Sequence, residues 1–342
     1  MTDFSPDLLN RPAAEATGLL ARHQLDAAAA AASRLTDRRD AEALHDFRVA
    51  VRRLRVTLRA YPILRDGVLK KYRRRLRKLV RDTNAVRDAE AQIAWFVDHS
   101  AQFTPSQRAA LGPLRSRLRA RRRRARIHTH LKLQRRFAKL ERKVRHVLAD
   151  LPAHSGGGAP FPRFRTIAAA TLVKHAMDLR KRLERATLTS ATDLHATRIA
   201  AKRLRYLLEP VEQDLAQGTR LLDRLKRLQD LFGALTDAHE LQAELQRASQ
   251  TDPETGVTAA MNLLEAEVAG FVTSVQEDWS RVGTDIEKEV VAAARQISPT
   301  ARQPKQRRHP PAPPGPPLPA RRESRVAANP NPRQGPSAPT RP

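Results

Sequence analysis

The sequence contains no cysteine. Disulfides, thiolate metal sites and cysteine nucleophiles are therefore excluded, and the absence fits a reducing compartment. Aromatic residues are scarce, at 4% of 342, while the 40% of hydrophobic residues leans on Ala and Leu. That balance suits packed helices rather than a β-sandwich, whose strands draw on Val, Ile, Tyr and Phe. No window approaches the ~18 apolar residues needed to span a bilayer. The opening MTDFSPDLLNRPAAEATGLL lacks the basic stretch and apolar run of a secretory signal. These absences predict a cytoplasmic location and no membrane partner. Acidic residues are also few, with 36 Asp and Glu against 64 Lys and Arg, a formal net charge of +28.

An excess of this size repels itself in the compact state and points to a polyanionic partner: nucleic acid, membrane surface or polyphosphate. Arginine far outnumbers lysine. Two readings of that bias stand side by side: a GC-rich genome, or use of the planar guanidinium fork that grips phosphate oxygens in pairs. The chemistry of phosphate transfer is missing. There is no Gly-rich phosphate loop, no G-x-S-x-G, and no carboxylate set arranged to hold magnesium, which a kinase or phosphohydrolase would need. The expectation is a non-enzymatic binding protein with no cofactor and no metal.

Length alone allows two compact units or one large helical domain. Residues 299–342 stand apart, with fourteen of the 24 prolines, nine basic residues and a single acid, Glu323. Such a segment cannot bury a core and is predicted to be a disordered, proline- and arginine-rich tail. It carries eight of the excess positive charges, so twenty remain on residues 1–298. That body reads as all-α. Helices are predicted over about 12–35, 40–61, one carrying Leu69, Tyr72, Leu76, Leu79, Thr83 and Val86, and 105–148. A flexible break follows at Leu151-Pro152 and Ser155-Gly156-Gly157-Gly158. Four more helices are predicted at about 164–187, 191–214, 219–248 and 254–295. The predicted units are 1–152, a linker at 153–163, 164–298, and the tail.

A repeat crosses that linker. LHDFRVAVRRLRVTL at 44–58 aligns with LHATRIAAKRLRYLL at 194–208, an offset of 150, with eight of fifteen positions identical. LRKLVRDTNAVRDA at 76–89 lies against LKRLQDLFGALTDA at 225–238, matching Asp88 to Asp237. On a helix at ~100° per residue, Phe47, Val51, Leu54, Leu58 and Tyr61 share a core-facing arc. His45, Arg48, Arg52, Arg55 and Arg59 share a second arc about 120° away, spanning roughly 21 Å at ~1.5 Å per residue. The second copy places His195, Arg198, Lys202 and Arg205 in the same row. Like charges at steps of three and four destabilise a helix unless acids or a bound anion offset them. The next helix is denser still, with Lys70, Lys71, Arg73, Arg74, Arg75, Arg77, Lys78 and Arg81 and no acid among them. Arg121 to Arg124 wrap every face of their helix and are read as solvated. His45 and His195 are flanked by arginines, and His128 and His130 are two apart on different faces. Neither pattern suits zinc, and two readings fit better on equal terms: an imidazole donating to a phosphate oxygen, or a histidine that only packs.

LHDFRVAVRRLRVTLRAY, LHATRIAAKRLRYLLEP and LKRLQDLFGALTDAHE resemble the CHAD domain, the conserved-histidine α-helical domain, over about residues 12–295. The resemblance implies two pseudo-symmetric four-helix bundles made by internal duplication. A basic groove between them would bind inorganic polyphosphate, in some members at polyphosphate granules. It implies anion contacts at His45, Arg48, Arg52 and Arg55, and at His195, Arg198, Lys202 and Arg205. Neighbouring helices would add Arg74, Arg77, Lys78, Arg81, Arg224 and Arg227. The E-x-E-x-K triphosphatase motif fused to many members is absent, so that activity is not expected. The rival expectations are sequence-independent nucleic-acid binding, at most weak, and an adaptor that recruits proteins through its tail.

Overall fold

The computed structural model describes residues 7–37, 39–40, 42–61, 66–149, 162–185, 190–251, 255–276 and 279–298. The glycine break and the C-terminal tail lie outside the described residues, as do the side chains of His128 and His130. Among the described residues there are eleven α-helices: α1 (Ala13–Arg34), α2 (Ala43–Ala60), α3 (Asp66–Arg81), α4 (Asn84–Asp98), α5 (Pro105–Ala110), α6 (Gly112–Ala149), α7 (Phe164–Arg185), α8 (Ala191–Leu208), α9 (Gly218–Thr251), α10 (Thr255–Gln276) and α11 (Trp279–Ile297). Short 3₁₀ turns join some of them. The all-α fold class is as the composition predicted.

The helix count is higher than the sequence suggested, for local reasons. The stripe Leu76, Leu79, Thr83, Val86 does not run along one helix. Asp82 and Thr83 form a turn between α3 and α4, and Thr83 is fully buried there. The predicted helix 105–148 is two helices. Thr104 and Gln107 cap α5 reciprocally, and Leu111 turns the chain into α6. The predicted helix 191–214 stops at Leu208, because Pro210 has no N–H to continue it, and Glu209–Asp214 tighten into a 3₁₀ turn. Gly218 opens α9 where a Cβ would come within 2.1 Å of the Glu212 carbonyl oxygen, so only glycine fits that approach. The span predicted as 254–295 contains α10 and α11.

Three apolar cores hold the helices. One joins the C-terminal half of α1 to α2, α3 and the C-terminal half of α6. A second joins α7, α8, the N-terminal part of α9 and α11, with Leu8, Ala16, Leu20 and Tyr61. The third is built from both sides of the linker: α4, Phe103 and Leu111 on either side of α5, and the start of α6 meet the end of α9 and α10. The long helices α6 and α9 each pass from one core to another. On α2 the predicted arc of Phe47, Val51, Leu54, Leu58 and Tyr61 is buried throughout. Phe47 meets Phe137 of α6 edge-on at 5.0 Å, and Tyr61 meets Phe164 at the start of α7 at 5.1 Å. Backbone bonds from Ala13 to Pro162 and from Phe164 to Arg11 pin the starts of α1 and α7 together. The buried arc fixes the rotation of α2 about its axis. That rotation decides where its arginine row points.

Candidate anion-binding cavity

Helices α2, α4, α8, α9 and α10 enclose a cavity of about 740 Å³. From α2 it receives His45, Arg48 and Arg52, and from α8 the repeat-equivalent His195, Arg198 and Lys202. The two rows therefore line one space. The predicted Arg55 and Arg205 lie on the same helices outside this lining. Arg205 sits over the Tyr206 ring, 5.2 Å from its centroid, and 3.5 Å from Glu209. Arg74, Arg77, Lys78, Arg81 and Arg227 are exposed and do not line the cavity, and Arg224 forms an ion pair with Glu289 of α11 instead.

The cations of the cavity differ in what holds them. Arg48 is 6% exposed, and its guanidinium donates to the Thr83 hydroxyl, to the Val80 carbonyl at 3.4 Å and to Asn84 Oδ1 at 3.2 Å. It ties α2 to the α3–α4 break. Arg198 meets no such break, because α9 runs straight through the equivalent position. Its guanidinium lies instead along Gly233, where a Cβ would sit 3.4 Å from one of its nitrogens, and its buried Nε has no hydrogen-bond partner. Arg52 and Lys202 likewise make no ion pair or hydrogen bond among the described residues.

Burial and mutual repulsion act on this group together. Burial first, then Arg198, Arg52 and Arg205, push Lys202 down to about 7. Arg52 is lowered by burial and by Arg198 and Arg87, and Arg48 is pushed down to about 10 by burial and by Arg52. His195, exposed near the mouth, is lowered by burial and by the same cations. Each shift records the free-energy cost of holding positive charge here without a counter-ion.

The opposite wall is acidic, which the sequence reading did not foresee. Arg87 of α4 donates to Asp237 of α9 at 3.0 Å, joining the two sides of the linker. Asp88 is raised by burial, with Asp237 adding to the rise and Arg48 and Arg87 opposing it. Glu240 is raised by burial and by Asp88 and Asp237. Beyond them Trp95 stacks on His99 at 4.4 Å, with its indole N–H donating to Glu267 at 2.8 Å. Among the described residues no group of three or more His, Asp or Glu side chains is placed to hold a metal. The carboxylates offset Arg87 and part of Arg48. Arg52, Arg198 and Lys202 form no ion pair among the described residues, although Asp237 acts on Lys202 and Glu240 on Arg198 at longer range.

The sequence model of the CHAD domain matches residues 19–246 of the chain. The chain belongs to the CHAD-domain family. Solved CHAD-like structures share its fold. The CHAD domain from the plant Ricinus communis is 20% identical and superposes with a TM-score of 0.58, covering 83% of this chain and 93% of that one. PptA from Streptomyces chartreusis is also 20% identical, with a TM-score of 0.58 over 85% of this chain and 99% of that one. At this identity the likeness is one of fold. No curated protein matches the chain in sequence. Among the described residues no helix is long and apolar enough to cross a membrane.

Arg87 was absent from the sequence-derived set for a simple reason. It belongs to α4, a helix hidden inside the apparent continuation of α3. The available signal was the aligned pair Asp88 and Asp237, whose neighbours line the same cavity.

Proposed function

We propose that this CHAD-family chain binds inorganic polyphosphate without transforming it, in the cytoplasm and in association with polyphosphate granules. The observation that carries the reading is the set Arg52, Arg198 and Lys202, three unpaired cations from two helices lining one cavity. Burial and the repulsion of Arg198 penalise the charge on Arg52 and Lys202, and a run of phosphates removes that penalty by charge-assisted hydrogen bonds. His45 and His195 stand at the same wall as further donors. A flexible chain with one charge per unit suits a narrow cavity. A base-paired duplex does not enter a space of 740 Å³. Single-stranded nucleic acid binds by stacking on exposed aromatics. Here the cavity's tryptophan is already stacked on His99 and bonded to Glu267.

Competition at fixed salt between labelled long-chain polyphosphate and single- or double-stranded DNA tests the ligand. Polyphosphate is expected to displace DNA at far lower concentration, and the reverse order would refute the reading. Incubation with polyphosphate and magnesium is expected to release no phosphate. Deleting residues 299–342 is expected to leave binding within a few-fold, since the tail offers only a weak second contact.

A further inference from the structure

The repeat allows one contact to be compared with its sequence equivalent. Where α2 crosses the end of α8, Arg53 donates to Glu209 at 2.7 Å and lies 5.6 Å from the Tyr206 ring centroid. At the offset of 150, Arg53 matches Arg203 and Glu209 matches Arg59. The counterpart of this ion pair is therefore two arginines. Arg203 is half-buried on α8, and Arg59, exposed on the last turn of α2, repels it. Neither makes an ion pair or hydrogen bond among the described residues.

The surroundings add cations. Arg55, one turn before Arg59, is pushed down to about 10 by burial first and then by Arg77, Arg52, Arg59 and Arg203. Arg77 is brought near by α3, whose Arg73 donates to the Leu58 carbonyl at 3.1 Å. Asp178 of α7, which faces Arg203, already pairs with Arg182 at 3.1 Å. His175 of α7 faces the same arginines. Burial, Arg203 and Lys174 push it down to about 4, so it stays neutral and adds no counter-charge or repulsion at pH 7.

We infer that Arg59 and Arg203, with Arg55 and Arg77, form a second anion subsite that holds a phosphate group where Glu209 stands beside Arg53. None of the four lines the cavity. Arg55 follows Arg52 by one turn on α2, so a phosphate chain leaving the cavity past Arg52 meets this cluster next. The subsite itself needs only a phosphate group. That the group belongs to a polyphosphate chain rests on the proposed function.

The test uses the full-length chain in two arms. In the first, Arg52, Arg198 and Lys202 are changed to Gln so that the cavity cannot contribute. Thermal unfolding is then followed with and without inorganic phosphate. Arg59→Glu, which recreates the ion pair, is expected to raise Tm by about 1–2 °C without phosphate. It is also expected to abolish the rise that phosphate gives. Arg203→Gln, a milder change, is expected to abolish the phosphate-dependent rise as well. In the second arm, with an intact cavity, Arg59→Glu is expected to weaken long-chain polyphosphate about tenfold more than tripolyphosphate. It should lower the slope of log K against log salt by about 1.4, for two lost contacts. A phosphate-dependent Tm rise that persists in both variants would overturn the subsite. Loss of that rise in a protein that binds no polyphosphate would uphold the subsite and refute the polyphosphate reading.

Discussion

Arg48 and Arg198 occupy the same place in the repeated string, yet the protein uses them differently. Arg48 is spent on architecture, because the turn at Asp82–Thr83 presents a carbonyl, a hydroxyl and an amide oxygen to its guanidinium. Arg198 faces an unbroken helix and the bare backbone of Gly233, and is left free to meet a ligand. The difference lies in what the partner helix offers each arginine. A duplicated basic motif thus supplies one structural cation and one available one. The cavity is built on both.

Removing Arg48 is expected to have the largest effect on that contrast. Arg48→Met leaves buried acceptors on Thr83, Val80 and Asn84 unpaired, and is expected to lower stability by about 3 kcal/mol in urea denaturation. Arg198→Met is expected to stay within about 1 kcal/mol of wild type. Equal losses would erase the distinction. For binding the order reverses in kind. Arg198→Gln is expected to weaken polyphosphate about tenfold by calorimetry while its denaturation midpoint holds, as befits loss of one unpaired phosphate contact.

Lys202 sharpens the comparison through pH. Its folded value, about 7, lies below the ordinary lysine value of 10.5. The unfolded chain therefore binds the extra proton between those limits. Lys202 lowers stability fully below pH 7, and the loss disappears as pH rises toward 10.5. A bound anion restores the proton, so affinity should fall several-fold from pH 7 to pH 9, with proton uptake on binding. His195 is lowered by burial and the neighbouring cations, while Asp88 and Glu240 are raised by burial, so the Lys202→Arg variant is what separates Lys202 from these groups. Lys202→Arg should flatten the profile, and an unchanged profile would remove Lys202 from contact with the anion. The smallest effect is expected at Arg224. Its bond to Glu289 is partly exposed, so Arg224→Gln should alter stability by under about 1 kcal/mol and affinity by less than twofold.

The helical class, the buried arc of α2 and the doubled basic row were legible from spacing and repetition, since burial of Phe47, Val51, Leu54 and Leu58 leaves little choice of rotation. The break after Arg81 was not. Leu76, Leu79, Thr83 and Val86 keep helical period across it, and the group that stabilises the turn comes from Arg48, thirty-five residues before Thr83. The acidic wall was hidden because Asp88, Asp237 and Glu240 sit on α4 and α9, and only the third core brings those helices together. Arg224 illustrates the opposite error: it lies in a basic stretch, but its partner Glu289 is sixty-five residues further on. Spacing along one helix assigns a side chain to a face. What that face meets is decided by packing.

The most direct measurement is a polyphosphate titration of the wild-type chain beside the Arg52→Gln, Arg198→Gln, Lys202→Gln triple variant at one salt concentration, with thermal unfolding of both. Binding in the variant is expected to be at least a hundredfold weaker, on the order of 3 kcal/mol, with Tm equal to or above that of wild type. Equal affinities in two well-folded proteins would contradict that expectation, because the unpaired cations of the cavity would then have no part in holding the anion.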